Sequence, residues 1–108
     1  MQMKILMCSV PDGPLSNTLR SLLSHGNAGP YKPQAPFGIL RVLSWMEKNG
    51  YDSDIYDIGN LRPSDETLIK NFKRTNPTVV GLSAPLSHCY PNVKRISKIL
   101  RELFPDIW

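Results

Sequence analysis

The chain has few of the residues that mark common chemistries. It holds two cysteines, Cys8 and Cys89, far apart and without zinc or redox spacing, so neither a disulfide framework nor a zinc module is expected. It holds two histidines, His25 and His88. His88 adjoins Cys89, a poor geometry for chelating one small ion, and reads first as a loop histidine. His25 lies in a Gly-rich turn. No nucleophile, base and orienting group can be assembled into a triad. No Gly-x-Gly-x-x-Gly follows the first apolar run and no Walker pattern exists, which argues against phosphate chemistry. A phosphoacceptor domain needs an acidic pair after its first strand and an Asp ending its third. This chain offers Asp12 and then Ser83. No stretch approaches the ~20 apolar residues of a membrane-spanning helix. Met1 to Val10 is short for a secretory signal and is interrupted by Lys4. A cytoplasmic, reduced setting is expected, with no membrane and no nucleic-acid partner.

What is present points to a single globular domain. At 41% hydrophobic and 20% charged, 108 residues can form one core and are not a disordered composition. Ten prolines are many, and those at 11, 14, 30, 33 and 36 mark one long irregular segment from Val10 to Ala35. Loops beyond roughly 12–15 residues in a compact domain tend to be functional or disordered. Leu15, Leu19, Leu22 and Leu23 suggest a short helix inside it, over Ser16 to Ser24, broken at Gly26-Asn27-Ala28-Gly29-Pro30.

The remaining pattern alternates strand and helix. Met3 to Ser9 is nearly continuous in apolar character, as in a parallel strand covered on both faces. Phe37 to Asn49 carries Ile39, Val42, Leu43 and Met46 at i, i+3, i+4, i+7, a core-facing helical stripe. Pro36 supplies its entry and Asn49-Gly50 its left-handed stop. Tyr51 to Ile58 reads as a second strand near a sheet edge. Ser64 caps a further helix, with Thr67 a weak substitute for the Glu of a capping box. Asp65 and Glu66 early and Lys70, Lys73 and Arg74 late suit the helix dipole, and Asn76-Pro77 ends it. Thr78 to Ser83 is a third strand. Pro91 opens a last helix with Val93, Ile96, Ile99, Leu100, Leu103 and Phe104 apolar, closed by Pro105-Asp106. Ile107-Trp108 reads as the stub of a fourth strand, which implies a fragment of a longer protein, the favoured reading, or else a strand-swapped assembly or a minimal domain with an exposed sheet edge.

The order β-α-β-α-β-α predicts an α/β fold of Rossmann-like, flavodoxin-like type: a parallel sheet of three strands plus the stub of a fourth, with helices on both faces. Ligands of such sheets sit outside the carboxyl ends of the strands where strand order reverses. In the order 2-1-3 that point lies between the first and third strands. The loops there run from Val10-Pro11-Asp12-Gly13 and over Ser83-Ala84-Pro85-Leu86-Ser87-His88-Cys89-Tyr90. Their small residues and prolines suit close approach of a flat ligand to the backbone, although turn-forming alone also explains them. Asp57, ending the second strand, reads as a cap or loop hydrogen-bond acceptor, and Asp52 and Asp54 as an exposed strand edge. Seven basic residues (Lys70, Lys73, Arg74, Lys94, Arg95, Lys98 and Arg101) fall on two helices. A basic patch could meet nucleic acid or an acidic partner, but with no nucleic-acid motif beside it the patch reads first as a solvated helix face.

The ordered set of motifs resembles a known family. The first strand, the long loop, Ala35-Pro36-Phe37-Gly38-Ile39-Leu40, Gly50-Tyr51-Asp52 with the strand to Asp57, Asn76-Pro77-Thr78-Val79-Val80-Gly81-Leu82-Ser83 and Phe104-Pro105-Asp106-Ile107 look like the cobalamin-binding domain at the front of cobalamin-dependent radical S-adenosylmethionine enzymes. Those domains commonly read Pro-Pro-x-Gly-Leu, Gly-Tyr-x-Val-x-x-x-Asp and Pro-Asp-x-Val-Gly-x-Ser. The resemblance covers essentially the whole chain. It implies a corrin held at the strand ends by Pro11, Asp12, Pro36, Phe37, Ser83, Ala84, Pro85 and Leu86, with Tyr90 over the ring edge. It further implies methyl transfer by the parent protein. The iron–sulfur cluster and S-adenosylmethionine belong to a downstream domain, the expected partner, whose Cys-x-x-x-Cys-x-x-Cys motif is absent here. Two features depart from related patterns. The Asp-x-His-x-x-Gly motif that ligates cobalt in mutases is missing, since Leu23 and Ala28 flank His25. The Gly-Gly pair expected after a fourth strand falls beyond Trp108. The alternative expectation is a Rossmann-like interaction module without bound cofactor. A nucleotide-binding half of a transferase is a weaker third.

Overall fold

The computed structural model describes residues 3–11, 36–84 and 89–108. The elements are β1 (Lys4–Ser9), α1 (Phe37–Lys48), β2 (Asp52–Tyr56), α2 (Ile58–Leu61), α3 (Asp65–Thr75), β3 (Val79–Ser83) and α4 (Tyr90–Leu103). The strands form one parallel sheet in the order β2-β1-β3. This is the Rossmann-like α/β arrangement with flavodoxin-like strand order. Parallel neighbours need a crossover rather than a hairpin. The crossover from β2 to β3 contains α2 and α3, and α1 lies between β1 and β2.

Register sorts the side chains by face. Leu6 lies opposite Asp54 and Val80, and Cys8 opposite Tyr56 and Leu82. With a side-chain period of two, these point one way and Ile5, Met7 and Ser9 the other. On the first face Leu6, Cys8 and Val10 pack with Ile58, Leu68, Phe72, Ile96, Ile99 and Leu100 under α3 and α4. Phe72 meets Tyr56 edge-on at 5.8 Å, and the Tyr56 hydroxyl accepts from Asn71 Nδ2 at 2.8 Å. On the second face α1 packs on β2 and β1, burying Ile39.

The helix ends follow their local chemistry. Gly50, at φ 81°, closes α1 in a Schellman arrangement: Tyr51 N–H donates to Met46 O and Gly50 N–H to Glu47 O. Thr67 N–H donates to Ser64 Oγ at 3.3 Å, and the Ser64 hydroxyl donates to Thr67 Oγ1 at 3.1 Å. Thr67 thus answers the cap through its hydroxyl instead of reaching a backbone N–H as a capping-box Glu does. Asn76 ends α3 in the left-handed region at φ 49°, a conformation that asparagine tolerates.

Three features differ from the sequence reading. Strand β2 stops at Tyr56, and Ile58 is fully buried as the first residue of the unforeseen α2. Val42 is 40% exposed, because α1 lies over the edge strand and only its innermost row, centred on Ile39, is covered. Ile107 and Trp108 form no strand. Trp108 N–H donates to Thr78 O at 3.3 Å and Val80 N–H donates to Trp108 O at 2.8 Å, along the outer edge of β3. The expected helix over Ser16 to Ser24 lies outside the described residues.

Candidate functional site at the strand ends

Strand order brings the tips of β1 and β3 side by side. Ser9 is the register partner of Ser83, and Val10 N–H donates to Ser83 O at 3.1 Å, extending the ladder one residue past the strand. Strand order also reverses here, since β1 passes to β2 on one side and β3 lies on the other.

A hydrogen-bonded network ties the tip of β1 to that of β2. The Ser9 hydroxyl donates to Asp57 Oδ1 at 2.6 Å and accepts from Gly59 N–H at 2.8 Å, while Asn60 Nδ2 donates to Asp57 Oδ2 at 2.8 Å. Both carboxylate oxygens are thereby engaged within the protein. Asp57 is a loop acceptor, as its position suggested, and it makes no side-chain cap on α2. Gly59 is required by proximity: a Cβ there would stand 3.0 Å from Ser9 Oγ and 3.3 Å from Ser9 Cβ.

A second latch joins the loop after β1 to the start of α4. Asn92, buried, donates from Nδ2 to Pro11 O at 3.2 Å and accepts from Arg95 Nη1 at Oδ1 at 3.0 Å. The buried Cys89 thiol points at Val10 O, 3.8 Å away. Val10, Pro11, Cys89 and Asn92 therefore fill the α4 side of the notch between the two tips. A ligand here lies across the rim and does not sink between the strands on that side.

Among the described residues the rim is open. Ala84 is exposed, Ser83 half-buried, and Tyr90 64% exposed at the first turn of α4. Twelve residues of α1 rise ~18 Å. That carries the chain from the carboxyl end of the sheet back to the amino end of β2, so half-buried Pro36 and 72% exposed Phe37, at the start of α1, stand on the same rim. Of the residues expected to line a ligand, Pro11, Pro36, Phe37, Ser83, Ala84 and Tyr90 are described, and Pro11 proves buried beneath the rim. Asp12, Pro85 and Leu86, with His25 and His88, lie outside the described residues. The sequence reading missed the Ser9–Asp57 pairing and the Asn92 latch. The first was available in principle, since polar residues ending neighbouring parallel strands must meet. The second depends on where α4 docks.

Burial raises the Cys8 thiol to about 12, so it stays protonated and inert below the rim. Among the described residues no group of three or more His, Cys, Asp or Glu is placed to hold a metal ion, and no helix is long and apolar enough to cross a membrane. Among the described residues two surface hollows lie elsewhere. One of about 270 Å³ borders α1 and β2 near Glu47, Tyr51 and Asp52, and one of about 520 Å³ lies between α3 and α4. No family model matches the chain, and neither a curated protein nor a solved structure matches it.

Proposed function

We propose that the chain is a cobalamin-binding domain, the front part of a radical S-adenosylmethionine enzyme that transfers methyl groups. The observation that carries this reading is the juxtaposition of the β1 and β3 tips, Ser9 beside Ser83, at the reversal of strand order. The ordered motifs of the sequence supply the identity of the ligand. On this reading the exposed rim fits a flat macrocycle. Ser83 and Ala84 are small enough to let the ring approach the backbone, and Phe37 and Tyr90 offer exposed aromatic surface at its edges. The Ser9–Asp57–Gly59 network and the Asn92–Pro11 latch hold the rim's two supporting loops in place, which lowers the ordering cost of binding.

When bound, cobalamin supplies the methyl-transfer chemistry. The chain's own residues bind and orient it and shield one face from water. The iron–sulfur cluster and S-adenosylmethionine belong to a downstream domain of the parent protein, which is the proposed partner. A reducing, cytoplasmic compartment suits two buried cysteines that form no disulfide.

The test is direct. The protein is incubated with hydroxocobalamin and, separately, methylcobalamin, passed over a gel-filtration column, and its visible absorbance recorded. Co-elution of corrin at near-stoichiometric amount, abolished by Ala84→Trp, is the expected result. Free elution of both corrins from folded protein overturns the proposal. The second reading, a Rossmann-like interaction module without cofactor, draws on a different region, the basic helices α3 and α4.

A further inference from the structure

The net charge of this protein is carried by two helices. Helices α3 and α4 hold seven basic and three acidic residues, a balance of +4, while six basic and six acidic residues elsewhere cancel. The net charge of +4 thus resides on these two helices. Their one ion pair among the described residues is Arg95–Asp65. Lys70, Lys73, Arg74, Lys94 and Lys98 have no carboxylate within 4.0 Å there.

Between the helices runs the groove of about 520 Å³, with Ile69 of α3 and Ile99 of α4 on its apolar sides and Lys94 and Lys98 along its α4 rim. Its wall is fixed. Arg95 donates from Nε to Asp65, from Nη1 to Asn92 Oδ1 at 3.0 Å and from Nη2 to Pro63 O at 2.9 Å, pinning α4 to the start of α3. The guanidinium is therefore spent inside the protein, and among the described residues the rim's cations outside any ion pair are the two lysines, one helical turn apart.

We infer that this groove docks an acidic amphipathic helix of a partner protein. The lysine pair at i, i+4 matches carboxylates at the same spacing on a facing helix, and the Ile69–Ile99 sides take an apolar residue from its inner stripe. Along α4 the groove spans Pro91 to Glu102, ~17 Å, about three helical turns. Nucleic acid fits less well. Ile69 and Ile99 line the groove with apolar surface, which a phosphate track leaves uncovered. The site is separate from the strand-end rim, so it stands or falls independently of cobalamin binding.

The experiment uses the full chain and a fluorescein-labelled helical peptide of about 16 residues, ~24 Å long, with leucines on one face and glutamates flanking them. Fluorescence anisotropy is followed as protein is added. Controls are a scrambled peptide of equal composition, a short DNA duplex and phosphatidylserine vesicles. Saturable binding of the patterned peptide, weakened about tenfold by Lys94→Glu/Lys98→Glu with an unchanged circular dichroism spectrum, is expected. Equal binding of the scrambled peptide, no saturation at millimolar protein, tighter binding of DNA or vesicles, or indifference to the double charge reversal overturns the inference.

Discussion

The two faces of the sheet are packed to different degrees, and the alternation along β1 sets the contrast residue by residue. Leu6 and Cys8 are sealed beneath α3 and α4, at 2% and 0% exposure, within a cluster that also buries Phe72, Leu68, Ile58 and Ile96 completely. Met7, between them in sequence, faces the other way and is half-buried. Beside α1 that face buries Ile5 and Ile39, while α1 leaves Phe37, Leu40, Val42 and Trp45 exposed. The α3–α4 face bears the stability of the described fold. The α1 face and the adjoining rim contribute less to folding and are the surface on which a ligand can act without cost to the core.

The sharpest way to break that comparison is to remove a large side chain from each face. Phe72→Ala empties the centre of the tight cluster and is expected to cost about 3–5 kcal/mol, read as a lowered urea midpoint at constant slope. Trp45→Ala removes a larger ring, 61% exposed and, among the described residues, stacked on Tyr51 at 6.3 Å, and is expected to cost under about 1 kcal/mol. Equal losses would show that α1 is as much a part of the core as α3.

The strand tips supply an intermediate case. Asp57→Ala leaves the Ser9 hydroxyl and the Asn60 amide without their acceptor, for an expected loss of roughly 1–3 kcal/mol. Asp57→Asn should recover part of it, because one amide oxygen still accepts from Ser9. If Asp57→Ala proves neutral in urea unfolding, the rim is not held by this network.

The tight face was the more legible in sequence, for a physical reason. Its residues carry plain signals: a continuous apolar run on β1, as in a strand covered on both faces, and Ile96, Ile99, Leu100 and Leu103 at helical spacing on α4. Burial there is decided by pattern. On the α1 face the pattern overstated burial, since Val42 belongs to the apolar stripe of α1 yet stays 40% exposed over an edge strand. Periodicity says which face of a helix is apolar but does not report how much sheet lies beneath it. The parallel sheet followed from the alternation of elements, while the order 2-1-3 and the neighbouring tips of β1 and β3 came with the flavodoxin-like class and are what the sheet shows. The short helix at Ile58 did not, because Ile58 alone offers no period. The latch of Asn92 onto the Pro11 carbonyl was hidden as well, being a contact between distant segments that no local spacing encodes.

Cys8 adds a pH dependence to the tight face. Its thiol is raised from the ordinary 9.0 to about 12 by burial, and unfolding returns it to the ordinary value. Below pH 9 both states keep the proton and the stability is fully present. Between pH 9 and about 12 the unfolded chain loses the proton while the folded one retains it, so stability falls as pH rises, by about 1 kcal/mol per pH unit. Unfolding free energies measured from pH 8 to about pH 11 should fall less steeply in Cys8→Ala than in the parent protein. Parallel slopes would mean that Cys8 is hydrated, and that the face is less closed than its geometry indicates.

Gly81→Ala is the smallest and most discriminating perturbation, because it tests the open face at its own centre. A Cβ on Gly81 would stand 2.5 Å from Met7 Sδ and 2.7 Å from Met7 Cε, so the thioether must move. Both atoms are at the far end of an unbranched side chain with three rotatable bonds. On a loosely covered face Met7 swings aside, and the loss stays below about 1 kcal/mol, partly offset by the lower backbone entropy of alanine in the unfolded chain. On a close-packed face the displaced sulfur has nowhere to go, and overpacking costs reach about 1–3 kcal/mol. Adding Met7→Ala to Gly81→Ala separates the cases: if the two changes add, Met7 was free to move, and if Met7→Ala rescues Gly81→Ala the face is as tightly packed as the one beneath α4.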